Sequence, residues 1–115
     1  MPREFARHLR VGAELERVLN DLLLSEVKDP RLKDVRVSAV ELSGDLGVAR
    51  VYYSTLAPDA DRAPVEAALE KAAGFMRARV GREVKLRRVP ELRFEPDSGA
   101  RQGIRISQLI DETRS

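Results

Sequence analysis

The sequence predicts an α+β fold in the order α-β-β-α-(kink)-α-β: a three-stranded sheet with helices on one face and a short C-terminal helix. Three observations carry that expectation. An apolar stripe at three- and four-residue spacing fills the first quarter of the chain. Two β-branched runs then flank a glycine-containing turn, and a second helical pattern leads into a last strand-like run. At 115 residues, with 43% hydrophobic and 4% aromatic content, the chain makes one domain, 1–115, whose core is aliphatic.

The first helix is expected over residues 3–27. Val11, Leu15, Val18, Leu19 and Leu22 form one face, while Arg3, Arg7, Arg10, Glu14 and Arg17 follow the same period on another. Pro30 should stop it, because a residue preceding proline avoids helical dihedrals, and Asp29 to Leu32 reads as a turn. The first strand, Val35–Leu42, alternates apolar and polar residues as far as Ala39. Val40 and Leu42 then switch parity, which points to a bulge or a two-faced strand. Ser43 to Gly47 supplies the glycines and aspartate of a hairpin. Val48–Ser54 should therefore run antiparallel to the first strand.

Residues 57–64 read as a loop and helix start, with Asp61 as N-cap and Pro64 in the first turn. The following helix should bury Val65, Ala68, Leu69, Ala72 and Met76, with Gly74 interrupting it and Gly81 ending it. An interior glycine costs about 1 kcal/mol relative to alanine, so Gly74 is read as a kink or a close approach, and Gly74→Ala is expected to cost stability or binding. Lys85–Phe94 is the expected third strand, and Pro90 within it argues for an edge position or a bulge. Ile104, Ile106, Leu109 and Ile110 should anchor the terminal helix over 103–113.

Composition removes several chemistries. With no cysteine there is no disulfide and no thiolate zinc site, and a single histidine argues against a histidine-based metal cluster. The charged N-terminus lacks the apolar core of a signal peptide, and no run reaches the length of a membrane span, so a soluble cytoplasmic protein is expected. No serine has a His/Asp partner nearby, nothing resembles a nucleophile elbow, and no glycine-rich loop opens a helix to cradle phosphate. Gly44 to Gly47 matches the G-x-x-G of RNA-clamping loops, but it lies between strands and carries Asp45, which would repel phosphate. It is read as a turn.

The most informative stretch is residues 71–94. Six of the twelve residues from Arg77 to Arg88 are basic (Arg77, Arg79, Arg82, Lys85, Arg87 and Arg88), opposed only by Glu83, in a chain whose formal charge is +2. Arginines outnumber lysines seventeen to four. Arginine pairs bidentately with phosphate and stacks on bases, so this face is the candidate RNA-binding surface, with Arg3, Arg7 and Arg10 as a second cluster. A solvated or ion-paired surface charge is the competing reading for each.

Ordered along the chain are Asp29-Pro30-Arg31, Asp45-Leu46, Val51-Tyr52, Ala72-x-Gly74-Phe75-x-Arg77, Leu86-Arg87, Val89-Pro90-Glu91-Leu92, Asp97-Ser98 and Gly103-Ile104. Together they make the chain resemble the ribosome-binding factor A family over nearly its full length. The resemblance implies a type II K-homology fold with Ala72, Ala73 and Gly74 as a helix-kink motif in place of a G-x-x-G loop. It further implies a non-enzymatic factor, monomeric and without cofactors or metal, that binds the free 30S subunit and 16S rRNA. Such a factor would aid late maturation, including 16S 5′-end processing, and matter most in the cold. Assembly GTPases would be further partners. The chain stops just after the expected terminal helix, without the long extension of some members. The rival reading is a protein-interaction adaptor that docks on a ribosomal protein or GTPase without touching RNA.

Overall fold

The computed structural model describes residues 3–55 and 62–97, with side chains described from Ala6 onward. Its elements are α1 (Arg3–Ser25), a 3-10 turn (Pro30–Leu32), β1 (Val35–Leu42), β2 (Val48–Thr55), α2 (Arg62–Glu83) and β3 (Glu91–Pro96). The strands lie in the order β1-β2-β3, antiparallel between β1 and β2 and parallel between β2 and β3. Asp61 and residues 103–113 fall outside the described residues.

Both helices bury their apolar faces against one side of the sheet. From α1 come Val11, Leu15, Val18, Leu19, Leu22 and Leu23, and from α2 Val65, Ala68, Leu69, Met76 and Val80. They meet Val35, Val37, Ala49, Val51, Tyr53 and Leu92 of the strands. Dry aliphatic packing of this kind is worth roughly 1.5–3 kcal/mol per fully buried large side chain. Gly12 lets α1 come close to β1, since a Cβ there would lie 3.0 Å from the carbonyl oxygen of Val40.

Helix α1 ends two residues before its expected limit, in a last turn where Glu26 and Val27 both donate to the Leu22 carbonyl. Asp29 then caps the 3-10 turn. Its carboxylate accepts the Arg31 backbone N–H at 3.0 Å and the Arg31 guanidinium at 3.0 and 2.7 Å.

The parity switch in β1 is a bulge, and its cause is visible. Pairing runs Val37 with Tyr53 and then Ala39 with Tyr52, leaving Ser38 as the extra residue. Val40 and Leu42 therefore pack against the same core as Val35 and Val37. Asn20 of α1 fixes the spot, accepting the Val37 N–H at 2.8 Å and donating to the Val37 carbonyl at 3.0 Å. Its amide thus stands in for a neighbouring strand. The Ser38 hydroxyl donates to the Tyr52 carbonyl and to the Asp97 carboxylate, tying the bulge to the central strand and to the residue after β3.

Two expectations need correction. The helix expected to be interrupted at Gly74 is a single helix that passes without a break through Ala72, Ala73 and Gly74 and continues past Gly81 to Glu83. Gly74 has no positive φ and nothing within 4 Å of a would-be Cβ. Core anchors on both sides of it, Leu69 and Met76, hold the turn helical against the weak propensity of one glycine. Gly81 serves a different purpose, because a Cβ there would meet Val89 Cγ2 at 2.9 Å. The third strand begins at Glu91 rather than Lys85. The carbonyls of Val89 and Pro90 are taken by the Arg77 guanidinium, at 2.9 and 3.2 Å, so this stretch is bonded to the helix instead of to β2.

Candidate nucleic-acid interface

The basic window divides into cations used internally and cations left facing solvent. Arg77 projects from α2 onto the carbonyls that precede β3. Arg79 reaches across to the end of α1, where both its terminal nitrogens donate to the Glu26 carboxylate at 3.1 and 3.2 Å. Glu83 lies 3.9 Å away, and the guanidinium sits 6.0 Å from the Phe75 ring centre. These two arginines lock α2 to β3 and to α1. Their charge is spent on the fold.

Arg82, at the last turn of α2, and Lys85, Arg87 and Arg88, on the irregular segment that follows, are exposed. Among the described residues the first three make no ion pair. Arg88 lies against the β1–β2 hairpin, its Nη2 only 2.9 Å from where a Gly47 Cβ would stand. The segment that carries these charges is held at both ends. Val84 and Pro90 are buried, and Arg77 fixes the carbonyls of Val89 and Pro90.

The hairpin of residues 43–47 is a turn, as expected, and not a clamp. Asp45 accepts the Gly47 N–H at 2.9 Å and the Ser43 hydroxyl at 2.8 Å, and these bonds, with a smaller contribution from the Arg88 charge, hold its carboxyl below the ordinary range. The left-handed residue is Leu46, with φ 60°, and not either glycine. Such a conformation costs a non-glycine residue on the order of 1 kcal/mol. Surrounding bonds over-determine it: Leu46 N–H to the Ser43 carbonyl, Ser43 N–H to the Val48 carbonyl, and Glu91 N–H to the Gly47 carbonyl.

His8, the single histidine, donates from Nε2 to the carbonyls of Ser43 and Gly44, both at 3.2 Å. Nothing in the local sequence marks this contact, since its partners lie 35 and 36 residues away. The hairpin is thus touched by α1 through His8 and by the basic segment through Arg88. That contact places the end of α1 bearing Arg7 and Arg10, both exposed, beside the same hairpin as Arg88. The Arg3 side chain lies outside the described residues.

Among the described residues no group of three His, Asp or Glu side chains could hold a metal ion, and no helix is long and apolar enough to cross a membrane. What the surface offers is a row of exposed cations at the end of α2 and on the segment after it, with Arg88 against the hairpin, suited to phosphate contact by charge.

Residues 7–110 match the family model described as ribosome-binding factor A. The chain belongs to the ribosome-binding factor A family. It is 42% identical over 112 residues to ribosome-binding factor A of Nitrosospira multiformis, covering 97% of this chain and 89% of that one. Against the Marinomonas protein of the same name it is 47% identical over 116 residues, with the same coverage. The crystal structure of the Thermus thermophilus factor superposes with a TM-score of 0.70 at 32% identity, covering 77% of this chain and 94% of that one. A model of the Thermus factor fitted into a cryo-EM map of a 30S complex superposes with a TM-score of 0.61 at 34% identity, over 73% of this chain and 88% of that one. The fold is the type II K-homology-like α+β arrangement of the family's known structures.

Proposed function

We propose that this chain is a non-catalytic, monomeric assembly factor that binds the free 30S subunit in the cytoplasm. It contacts 16S rRNA through Arg82, Lys85, Arg87 and Arg88, with Arg7 and Arg10 beside them. The observation that carries this reading is the division of the basic window. Arg77 and Arg79 are consumed by the fold, and the remaining cations sit exposed on a segment whose ends are fixed. Membership of a family with a member fitted into a 30S complex supports the partner. The factor would bias one local rRNA arrangement by binding it more tightly than its competitor. On this reading it aids late maturation, including 16S 5′-end processing, and acts most where cold deepens RNA folding traps, with assembly GTPases as further partners.

The experiment is the double reversal Arg87→Glu/Arg88→Glu. Both residues are exposed, so stability should change by less than ~0.5 kcal/mol. Binding to purified small subunits should weaken, and the salt dependence should flatten by roughly 0.7–0.9 in log–log slope per lost phosphate contact. An unchanged affinity and slope would remove the pair from the interface. Wild-type binding that is insensitive to salt would favour a protein-docking adaptor instead.

A further inference from the structure

Along α2, toward its first half and away from the basic segment at its end, the charge changes sign. A cleft of about 490 Å³ opens between the first half of α2 and β3, lined by Glu66, Leu69, Glu70 and Ala73 from the helix and by Glu91, Leu92, Arg93 and Phe94 from the strand. That size lies within the roughly 300–1,000 Å³ of ordinary binding clefts. Leu69, Leu92 and Phe94 give it an apolar part, and Glu66 and Glu70 stand exposed on its helix side, while Glu91 and Arg93, 3.4 Å apart, project by strand alternation to the other face of β3. A nucleic-acid backbone would be repelled there.

Two further features point to an occupant. Tyr53, on β2, lines this cleft and is 3% exposed, and its hydroxyl, itself buried, has no hydrogen-bond partner among the described residues. Burial first, then the Glu66 charge, hold that phenol above its usual range against the opposing Arg62 charge, so it stays protonated and able to donate. A buried hydroxyl left unpaired is costly, and such groups ordinarily find a partner. The second feature is the outer edge of β3. Glu91 and Asp97 donate inward, to the carbonyls of Gly47 and Tyr53. Strand alternation therefore turns the N–H and C=O groups of Leu92 and Phe94 outward. Pro96, at the same outward parity, lacks an N–H at no cost to the ladder.

We propose that this cleft is a docking groove for an extended, lysine-rich protein segment, which adds to the edge of β3 left unpaired among the described residues while its cations meet Glu66 and Glu70. Strand addition supplies main-chain bonds and the rim supplies selectivity for positive charge. This surface lies along the first half of α2 and carries the opposite charge to the proposed RNA face at the end of that helix, so the factor would hold a basic protein segment near one end of α2 and RNA near the other.

The test uses the whole chain and a fluorescein-labelled eight-residue peptide of alternating lysine and valine. Binding is read by fluorescence anisotropy and by amide chemical shifts. The expected shifts are confined to residues 66–73 and 91–97. N-methylation of alternate peptide residues should abolish binding, because it removes the donors that pair with the edge. Glu66→Lys/Glu70→Lys changes exposed helical positions, and should weaken the peptide by at least about tenfold while 30S affinity stays at the wild-type value. Equal peptide binding by wild type and the double variant, or shifts lying elsewhere, would overturn the proposal. So would an RNA oligonucleotide that perturbs the same amides, which would assign the groove to nucleic acid.

Discussion

Replacing Gly74 with alanine should stabilise this protein. Gly74 lies inside α2 with no positive φ, it is exposed, and apart from its chain neighbours and the helix's own backbone no atom stands within 4 Å of the Cβ that alanine would add. Only the backbone term then remains. Glycine in a helix interior is about 0.8–1.0 kcal/mol worse than alanine, largely because its unfolded state is freer. In a domain of this size that gain corresponds to a rise in Tm of about 3–4 °C. Urea unfolding followed by circular dichroism should show a higher midpoint with an unchanged slope, the signature of altered stability without altered compactness.

Gly12→Ala is the matched control, since it has the same propensity gain at another interior helical position. Its Cβ would stand 3.0 Å from the Val40 carbonyl oxygen, a backbone atom that yields only if α1 or β1 moves. Overpacking of that kind typically costs about 1–3 kcal/mol, so Gly12→Ala should destabilise. A Tm for Gly74→Ala at or below wild type would refute the reasoning. A stabilised Gly74→Ala protein with weakened 30S affinity would show that a partner uses the bare backbone at that turn.

Arg77→Met keeps the stem of the side chain but leaves the carbonyls of Val89 and Pro90 without their donor; a loss of about 1.5–3 kcal/mol is expected in chemical denaturation, with faster amide exchange over residues 84–91, and unchanged exchange there would dismiss the staple. The Asp29 carboxyl should titrate at about 2 instead of 3.8, chiefly because the Arg31 side chain donates to it. Because the folded value is depressed, its contribution to stability is fully present above pH ~4 and disappears as pH falls through the folded value. NMR titration of Asp29 in Arg31→Met should show the midpoint moving up toward 3.8, and an unmoved midpoint would exclude Arg31 as the cause.

What was legible in the sequence is what depends on near neighbours. The limits of β1 followed from its β-branched alternation, and the bulge from the single parity switch at Val40. The buried face of α1 followed from spacing alone. The start of β3 did not, because the guanidinium that takes the Val89 and Pro90 carbonyls comes from Arg77, and a strong strand-like pattern cannot show that its backbone is bonded elsewhere. The uninterrupted α2 was obscured for a similar reason, since buried anchors on both sides outweigh the local weakness of Gly74. Within the basic window, every arginine looks alike in sequence. The bidentate partner that sets Arg79 apart from Arg82 is Glu26, 53 residues earlier in the chain.

The bulge at Ser38 also governs which changes of length the strand can absorb. With Ser38 removed, Val35-Arg36-Val37-Ala39-Val40-Glu41-Leu42 would alternate perfectly, with every valine and the leucine still on the helix side. A deletion at Glu41 would instead carry Leu42 through to the opposite face. β1 is thus one residue longer than its pleat requires. What that extra residue adds is a hydroxyl that bonds to β2 and to Asp97, linking the first strand to the end of the third across the one between them.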